Sequence, residues 1–119
     1  MSRAHSYIYG MRAETIAAWW LRAKLYRILA TRYRAQGGEI DVIAQRGSTL
    51  CFVEVKARPT LDEAMIAITP DKRRRMSRAA RGFLATHRGA ENCTWRGDAV
   101  LIAPGKPPRH AKGVVELEI

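Results

Sequence analysis

Cysteine is scarce in this chain, with two residues, Cys51 and Cys93, far apart. Two cannot supply the disulfide framework of a small secreted protein. Cys51 falls on the apolar side of a strand pattern, where a buried free thiol is the ordinary state. The three histidines, His5, His87 and His110, are scattered, and no Cys/His grouping has zinc-site spacing. No stretch nears the roughly 18 apolar residues of a membrane span, so no membrane partner is expected. The opening residues, MSRAHSYIYGMRAE, hold no apolar signal-peptide core, and the expected compartment is the cytoplasm. Acidic residues are few, 11 against 21 lysines and arginines, giving a net charge of +10 and a pI near 10.4. That balance favours a polyanionic partner, nucleic acid before membrane. A chain of 119 residues that is 47% hydrophobic predicts one domain with a real core.

The informative stretch is GGEIDVIAQRGSTLCFVEVKAR, residues 37–58. Residues 39–45 alternate, with Ile40, Val42 and Ala44 on one side and Glu39, Asp41, Ile43 and Gln45 on the other. Residues 50–57 repeat the pattern, with Cys51, Val53, Val55 and Ala57 opposite Phe52, Glu54 and Lys56. Period-two alternation predicts two strands, and residues 46–49 read as a four-residue hairpin loop. Closing that loop sets Gln45 against Leu50, Ile43 against Phe52, Asp41 against Glu54 and Glu39 against Lys56, with Val42–Val53 and Ile40–Val55 filling the other face. A one-residue slip would put charge on the apolar face. Like charges directly opposite destabilise a sheet, so the Asp41–Glu54 pair asks for something to neutralise it, such as a divalent cation. The plainer alternative is a solvated sheet face with a Glu39–Lys56 ion pair, which leaves Asp41 against Glu54 unexplained.

Elsewhere, helical spacing of Ala13, Ala17, Trp20 and Leu21 predicts a helix from Met11 to about Lys24. Glu14 shares its packed side, or sits at the stripe's edge in the first turn. Of the adjacent Trp19 and Trp20, one is expected inward and one outward, with packing favoured over base stacking for both. Residues 26–34 read as a strand with a basic outer face, turned by Gln36, Gly37 and Gly38. Residues 59–68 are ambiguous, with a helical turn around 62–65. Thr69, Pro70 and Asp71 mark a helix start, followed by the stripe Met76, Ala79, Ala80, Phe83 and Leu84 and a stop near Gly89. Residues 98–103 and 114–119 read as strands joined by a basic loop, APGKPPRHAKG. The order α-β-β-β-α-β-β predicts an α/β fold, a mixed sheet flanked by helices.

Asp41 and Glu54 offer hard oxygen ligands for Mg²⁺ or Mn²⁺, and the Val55 carbonyl could add a third. Lys56 could orient an attacking water or offset developing charge, Glu14 could serve as an outer ligand, and Glu39 could tune Lys56. Such a set suits phosphodiester hydrolysis.

The same residues carry a resemblance. Glu14, then GEID ending in Asp41, then VEVK holding Glu54 and Lys56, resembles the PD-(D/E)XK nuclease superfamily. Five pieces in order tighten it: AETIA (13–17), RILA (27–30), GGEIDVIA (37–44), FVEVKAR (52–58) and TPDKRRR (69–75). Together they are similar to the YraN family, small bacterial proteins proposed as endonucleases and similar to archaeal Holliday-junction resolvases. The resemblance spans residues 10–103 and implies a restriction-endonuclease-like fold. It also implies Asp41 and Glu54 as metal ligands, Lys56 as catalytic lysine and Glu14 as the helix glutamate. Ile40 departs from the superfamily's nominal proline, Leu25 stands where the family usually has glycine, and PTLDEAMIA replaces its glycine-containing loop.

Lys72, Arg73, Arg74, Arg75, Arg78 and Arg81 lie off the apolar stripe of their helix and make a nearly one-signed face. Solvated faces usually mix signs, so this one is expected to contact DNA phosphates without reading sequence, extended by Arg32 and Arg58. The reading is a metal-dependent endonuclease on DNA, branched DNA first, with a homodimer if it resolves junctions. The alternatives are a non-catalytic nucleic-acid-binding module with a relic site, and a protein-binding adaptor using residues 59–68.

Overall fold

The computed structural model describes residues 3–119, with side chains from residue 13 onward. The first two residues, and the side chains of His5 and Met11, lie outside that description. The order is α1 (Arg3–Ala23), β1 (Arg27–Ala35), β2 (Gly38–Arg46), β3 (Thr49–Ala57), α2 (Leu61–Ile66), α3 (Pro70–Thr86), a 3₁₀ turn (Ala90–Asn92), β4 (Thr94–Ile102) and β5 (Arg109–Ala111). The five strands form one sheet in the order β1-β2-β3-β4-β5. All pairs are antiparallel except β3–β4, which is parallel. The parallel step needs a crossover, and α2 and α3 supply it. The mixed α/β architecture agrees with the sequence reading, with α2 as an additional short helix.

Helix α1 starts at Arg3, earlier than the expected Met11. It ends in a Schellman motif: the Tyr26 N–H donates to the Leu21 carbonyl and the Leu25 N–H to Arg22. That motif requires a left-handed residue, and Leu25 takes it with φ of 71°. Helix α3 starts as its sequence predicts: the Thr69 hydroxyl accepts from the Lys72 N–H and Pro70 opens the first turn. It ends at Thr86, short of Gly89, which instead begins the 3₁₀ turn at φ 88°.

Both faces of the central strands are covered. On the α3 side, Ile43, Leu50 and Phe52 pack with Met76, Ala79, Ala80 and Phe83. On the α1 side, Val42, Ala44, Cys51, Val53 and Val55 pack with Ala13, Ala17 and Leu21. A solvated sheet face around Asp41 and Glu54 is therefore ruled out, since these carboxylates are 8% and 1% exposed. The β2–β3 register matches the sequence reading from Gln45–Leu50 to Val42–Val53, but Arg46 also pairs with Thr49, so the loop is two residues rather than four. Beyond Val42–Val53 the two strands part. Ile40 joins the α3-side cluster while Val55 stays on the α1 side, so the expected Ile40–Val55 pair does not form.

The C-terminal expectation is corrected. Residues 114–119 form no strand, and the second strand of that region is Arg109–Ala111, inside the presumed loop. Gly113, at φ 69°, turns the chain, and the tail then straps the molecule. The Val115 N–H donates to the Gly97 carbonyl and the Glu118 N–H to the Ser77 hydroxyl. A side chain at Gly97 would strike the Val115 backbone, which is why the tail can lie there. No helix among the described residues is long and apolar enough to cross a membrane.

Candidate active site

The parting of β2 and β3 creates the site. Where the ladder would continue, the Asp41 carboxylate replaces a backbone carbonyl and accepts from the Val55 N–H at 2.8 Å. Asp41 is thus fixed by main chain rather than by a flexible partner. Glu54 projects beside it from β3. Its Oε1 lies 3.6 Å from the Lys56 ammonium and 3.8 Å from that of Lys72, both beyond the ~2.7–2.9 Å of a charge-assisted hydrogen bond. Its Oε2 is buried with no partner among the described residues. Burial first, and the facing Asp41 carboxylate second, push Glu54 up to about 8 against the pull of both lysines. A buried carboxyl with an unpaired oxygen is a costly feature unless something binds it.

These groups line a cleft of about 200 Å³ with Ala13, Glu14, Val55, Ala57 and Arg58. Asp41, Glu54, Val55 and Lys56 therefore meet as the sequence suggested. Glu14 reaches the rim, but Arg32 holds it through a 2.7 Å contact from Nε to Oε2. Arg32 lies between the Thr31–Val42 and Tyr33–Ile40 pairs, hence opposite Asp41, with a left-handed φ of 50°. Its guanidinium is pushed up, first by the hydrogen bond to Glu14. Among the described residues no three His, Cys, Asp or Glu side chains gather into a ready metal cage. Two carboxylates suit Mg²⁺ or Mn²⁺ nonetheless, because such ions usually keep several waters and take few protein ligands, and the orphaned Glu54 oxygen is a free donor.

Other expectations are redirected. Glu39 pairs with Arg34 and Arg75, each at 3.9 Å, and not with Lys56, because the strands have already separated. On α3, Arg73 meets Glu116, Arg74 meets Asp71 and Arg78 approaches the Gly37 carbonyl. Arg81 donates to the Glu118 carbonyl. The basic face is thus partly engaged by its own chain, and Lys72 turns inward. Arg58 donates to its neighbouring Ala57 carbonyl at the cleft's edge. Trp19 is 65% exposed under the Arg22 guanidinium, so inward packing holds for Trp20 alone, which is half-buried.

A second polar centre went unread. Asp98, fully buried in β4, accepts from Arg96 through Nε and Nη2 at 2.8 and 2.9 Å, from the Gly113 N–H at 2.9 Å, and from His110 Nε2 at 2.7 Å. Arg96 also reaches the Tyr26 hydroxyl and the Cys51 sulfur. Burial alone would raise the Asp98 carboxyl; the donors from His110, Arg96 and Gly113 outweigh it and hold it at about 2. Burial, then Asp98, pushes the Cys51 thiol up to about 12. The available signal was a lone acid opening the apolar run DAVLIA.

A mixed sheet, covered on both faces and split to expose two carboxylates and two lysines, defines an α/β domain with a preformed polar cleft. The chain belongs to the uncharacterised protein family UPF0102, a YraN-like family, whose profile matches residues 13–102. It is 56% identical over 109 residues to a UPF0102 protein of Methylocella silvestris, covering 92% of this chain and 88% of that one. It is 50% identical over 116 residues to a UPF0102 protein of Methylobacterium nodulans, covering 98% and 90%. A UPF0102 protein of Caulobacter vibrioides is 50% identical over 101 residues, covering 85% and 81%.

Proposed function

We propose that this protein is a metal-dependent endonuclease that hydrolyses phosphodiester bonds in DNA, with branched DNA as the preferred substrate, in the manner of PD-(D/E)XK enzymes. The observation that carries the reading is the buried Glu54, with one oxygen unpaired among the described residues, beside a main-chain-anchored Asp41 in a cleft lined by Lys56 and Lys72. Folding gains little from such an arrangement, whereas a divalent cation and a phosphate would satisfy every group in it.

Asp41 and Glu54 would hold Mg²⁺ or Mn²⁺, with the Val55 carbonyl and Glu14 as further or outer ligands. The ion would supply charge neutralisation at the phosphate and a more acidic bound water. The chain's own residues do the rest. The Val55 N–H keeps Asp41 at one position, so no reorganisation is needed when substrate arrives. Lys56, two residues from Glu54 on the same strand, is placed to orient the attacking water or offset developing negative charge. Attack forms a new P–O bond and breaks the bond to the leaving deoxyribose oxygen; the attacking water gives up a proton to solvent and the leaving oxygen takes one up from solvent. The net charge of +10, with Arg58, Arg74, Arg75 and Arg78 along the surface, would draw the DNA backbone in regardless of sequence. Cutting both strands of a junction symmetrically requires two such sites, so this substrate calls for a homodimer. The working compartment would be the cytoplasm, where DNA is accessible.

The test is a gel assay on a labelled four-way junction, a linear duplex and single-stranded DNA, in Mg²⁺, Mn²⁺ or EDTA. Metal-dependent cutting by the wild type, lost in Asp41→Ala and Lys56→Ala, is the expected result. Tight, salt-sensitive DNA binding with no cutting in any metal would instead make this a nucleic-acid-binding module with a relic site.

A further inference from the structure

Lys72 breaks a local rule. Thr69 caps α3 through the Lys72 N–H, which places Lys72 at the third helical residue. There a capping box favours Glu or Gln, and the helix dipole disfavours a cation. The outward basic residues of the same helix do not share its environment. The Arg74 side chain is 54% exposed, Arg75 is 40% exposed and Lys72 is 21% exposed. Its side chain turns away from solvent into the cleft, and its ammonium stops 3.8 Å from Glu54 Oε1. Lys56 approaches the same oxygen from β3, to 3.6 Å. Neither lysine closes to hydrogen-bond length, so neither makes the tight buried pair that would repay desolvation. Two ammonium groups from different elements converge on one small space and leave it open between them. Local rules broken without a structural gain concentrate at functional sites.

We propose that Lys72 is a second catalytic lysine, donating to a non-bridging oxygen of the scissile phosphate while Lys56 serves the attacking water. This rests on the nuclease reading and assigns Lys72 to the transition state rather than to the outer DNA-binding face. In the free protein both ammonium groups already converge on Glu54 Oε1, at 3.6 and 3.8 Å. Once phosphate enters, Lys72 is already aimed at the charge that builds on its oxygens, and removing one preorganised donor of that kind slows chemistry by roughly 10²–10³-fold. Lys72 itself takes up and releases no proton in this role. An outer phosphate contact would behave differently, weakening binding and lowering the salt dependence by about one counterion.

The experiment compares wild type, Lys72→Met, Lys72→Arg, Lys56→Met and Arg74→Met. Single-turnover cleavage of a labelled four-way junction is measured in Mg²⁺ or Mn²⁺, junction affinity in EDTA at several salt concentrations, and thermal midpoint without DNA. For Lys72→Met the expected result is a cleavage rate down by about 10²-fold or more, affinity within about 3-fold, and an unchanged or higher midpoint. Lys72→Arg should recover part of the rate, and Arg74→Met, an outer phosphate contact, should weaken affinity and lower the salt dependence by about one counterion. If wild type cuts and Lys72→Met cuts within about 3-fold of it, the Lys72 assignment is overturned and the nuclease reading stands. A lower midpoint with a matching rate loss, or a loss confined to affinity, also overturns it in favour of a structural or outer-surface lysine. If folded wild type cuts nothing in any metal, the nuclease reading fails and the assignment falls with it.

Discussion

Replacing Asp98 with Asn tests the buried centre that ties three parts of the chain together. The substitution keeps shape and removes charge. It leaves Arg96, whose side chain is 29% exposed, without its counterion, and points an amide N–H₂ at donors from Arg96 or His110. Removing one partner of a buried pair costs about 3–5 kcal/mol, so Asp98→Asn should lose that much at pH 7. The pH dependence follows from the depressed carboxyl, 3.8 in an unfolded chain and about 2 here. A depressed carboxyl stabilises the fold above its unfolded midpoint, and that contribution disappears as pH falls through the folded one. A midpoint lowered by nearly two pH units corresponds to about 2 kcal/mol. The gap between wild type and Asp98→Asn should therefore be constant from pH 5 to 7 and shrink by about 2 kcal/mol between pH 4 and pH 2. Urea unfolding at pH 7, 5, 3 and 2.5 measures it. Because β5 and Gly113 hang on Asp98 through His110 and the 113 N–H, amide exchange in residues 109–113 should rise first. A loss under 1 kcal/mol, or a gap that does not narrow in acid, would refute the assignment of an ionised, fully paired Asp98.

Three further perturbations have defined outcomes. Glu54→Gln removes a buried carboxyl that resists ionisation up to about 8, so in EDTA at pH 9 it should raise the thermal midpoint, and in Mg²⁺ it should abolish cleavage; because the folded midpoint is raised, the stability gain should fade as pH drops towards 4.5. Leu25→Gly relieves a branched side chain at φ 71°, and should stabilise by about 0.5–1 kcal/mol in urea melts, since Leu25 is exposed and loses no packing. Cys51, buried and pushed up to about 12, should resist a thiol-specific disulfide reagent at pH 8 in the native state while the half-buried Cys93 reacts; equal rates would contradict the burial.

Local pattern was enough for much of this molecule. The alternation of residues 39–57 set the β2–β3 register, because a slip would move every side chain to the wrong face. Thr69 and Pro70 fixed the start of α3 through one hydroxyl and one absent N–H. The same alternation pointed to Asp41, Glu54 and Lys56, but the direct Asp41–Glu54 pair it implied does not form, because the strands part beyond Val42–Val53. Failures came where long-range contacts overrode local preference. Residues 114–119 look like a strand by composition, yet Gly97 and Ser77 offered them backbone and hydroxyl partners that no neighbouring strand did. The short β5 is hidden among prolines and cations because β4's edge, not its own propensity, makes it a strand.

The sequence by itself determined which carboxylates share a hairpin and which helix carries the positive charge, since both are fixed by periods of two and 3.6 residues. Only the tertiary structure decided what those charges face. It split β2 from β3 so that Asp41 could take a main-chain N–H, locked Glu14 to Arg32, and gave Glu39 to Arg34 and Arg75. It also buried Asp98 among donors drawn from β4, β5 and the turn after β5, and swung Lys72 off its helix face into the cleft. Each of these is a contact between residues distant in the chain, chosen by competing burial and pairing energies that no local window contains.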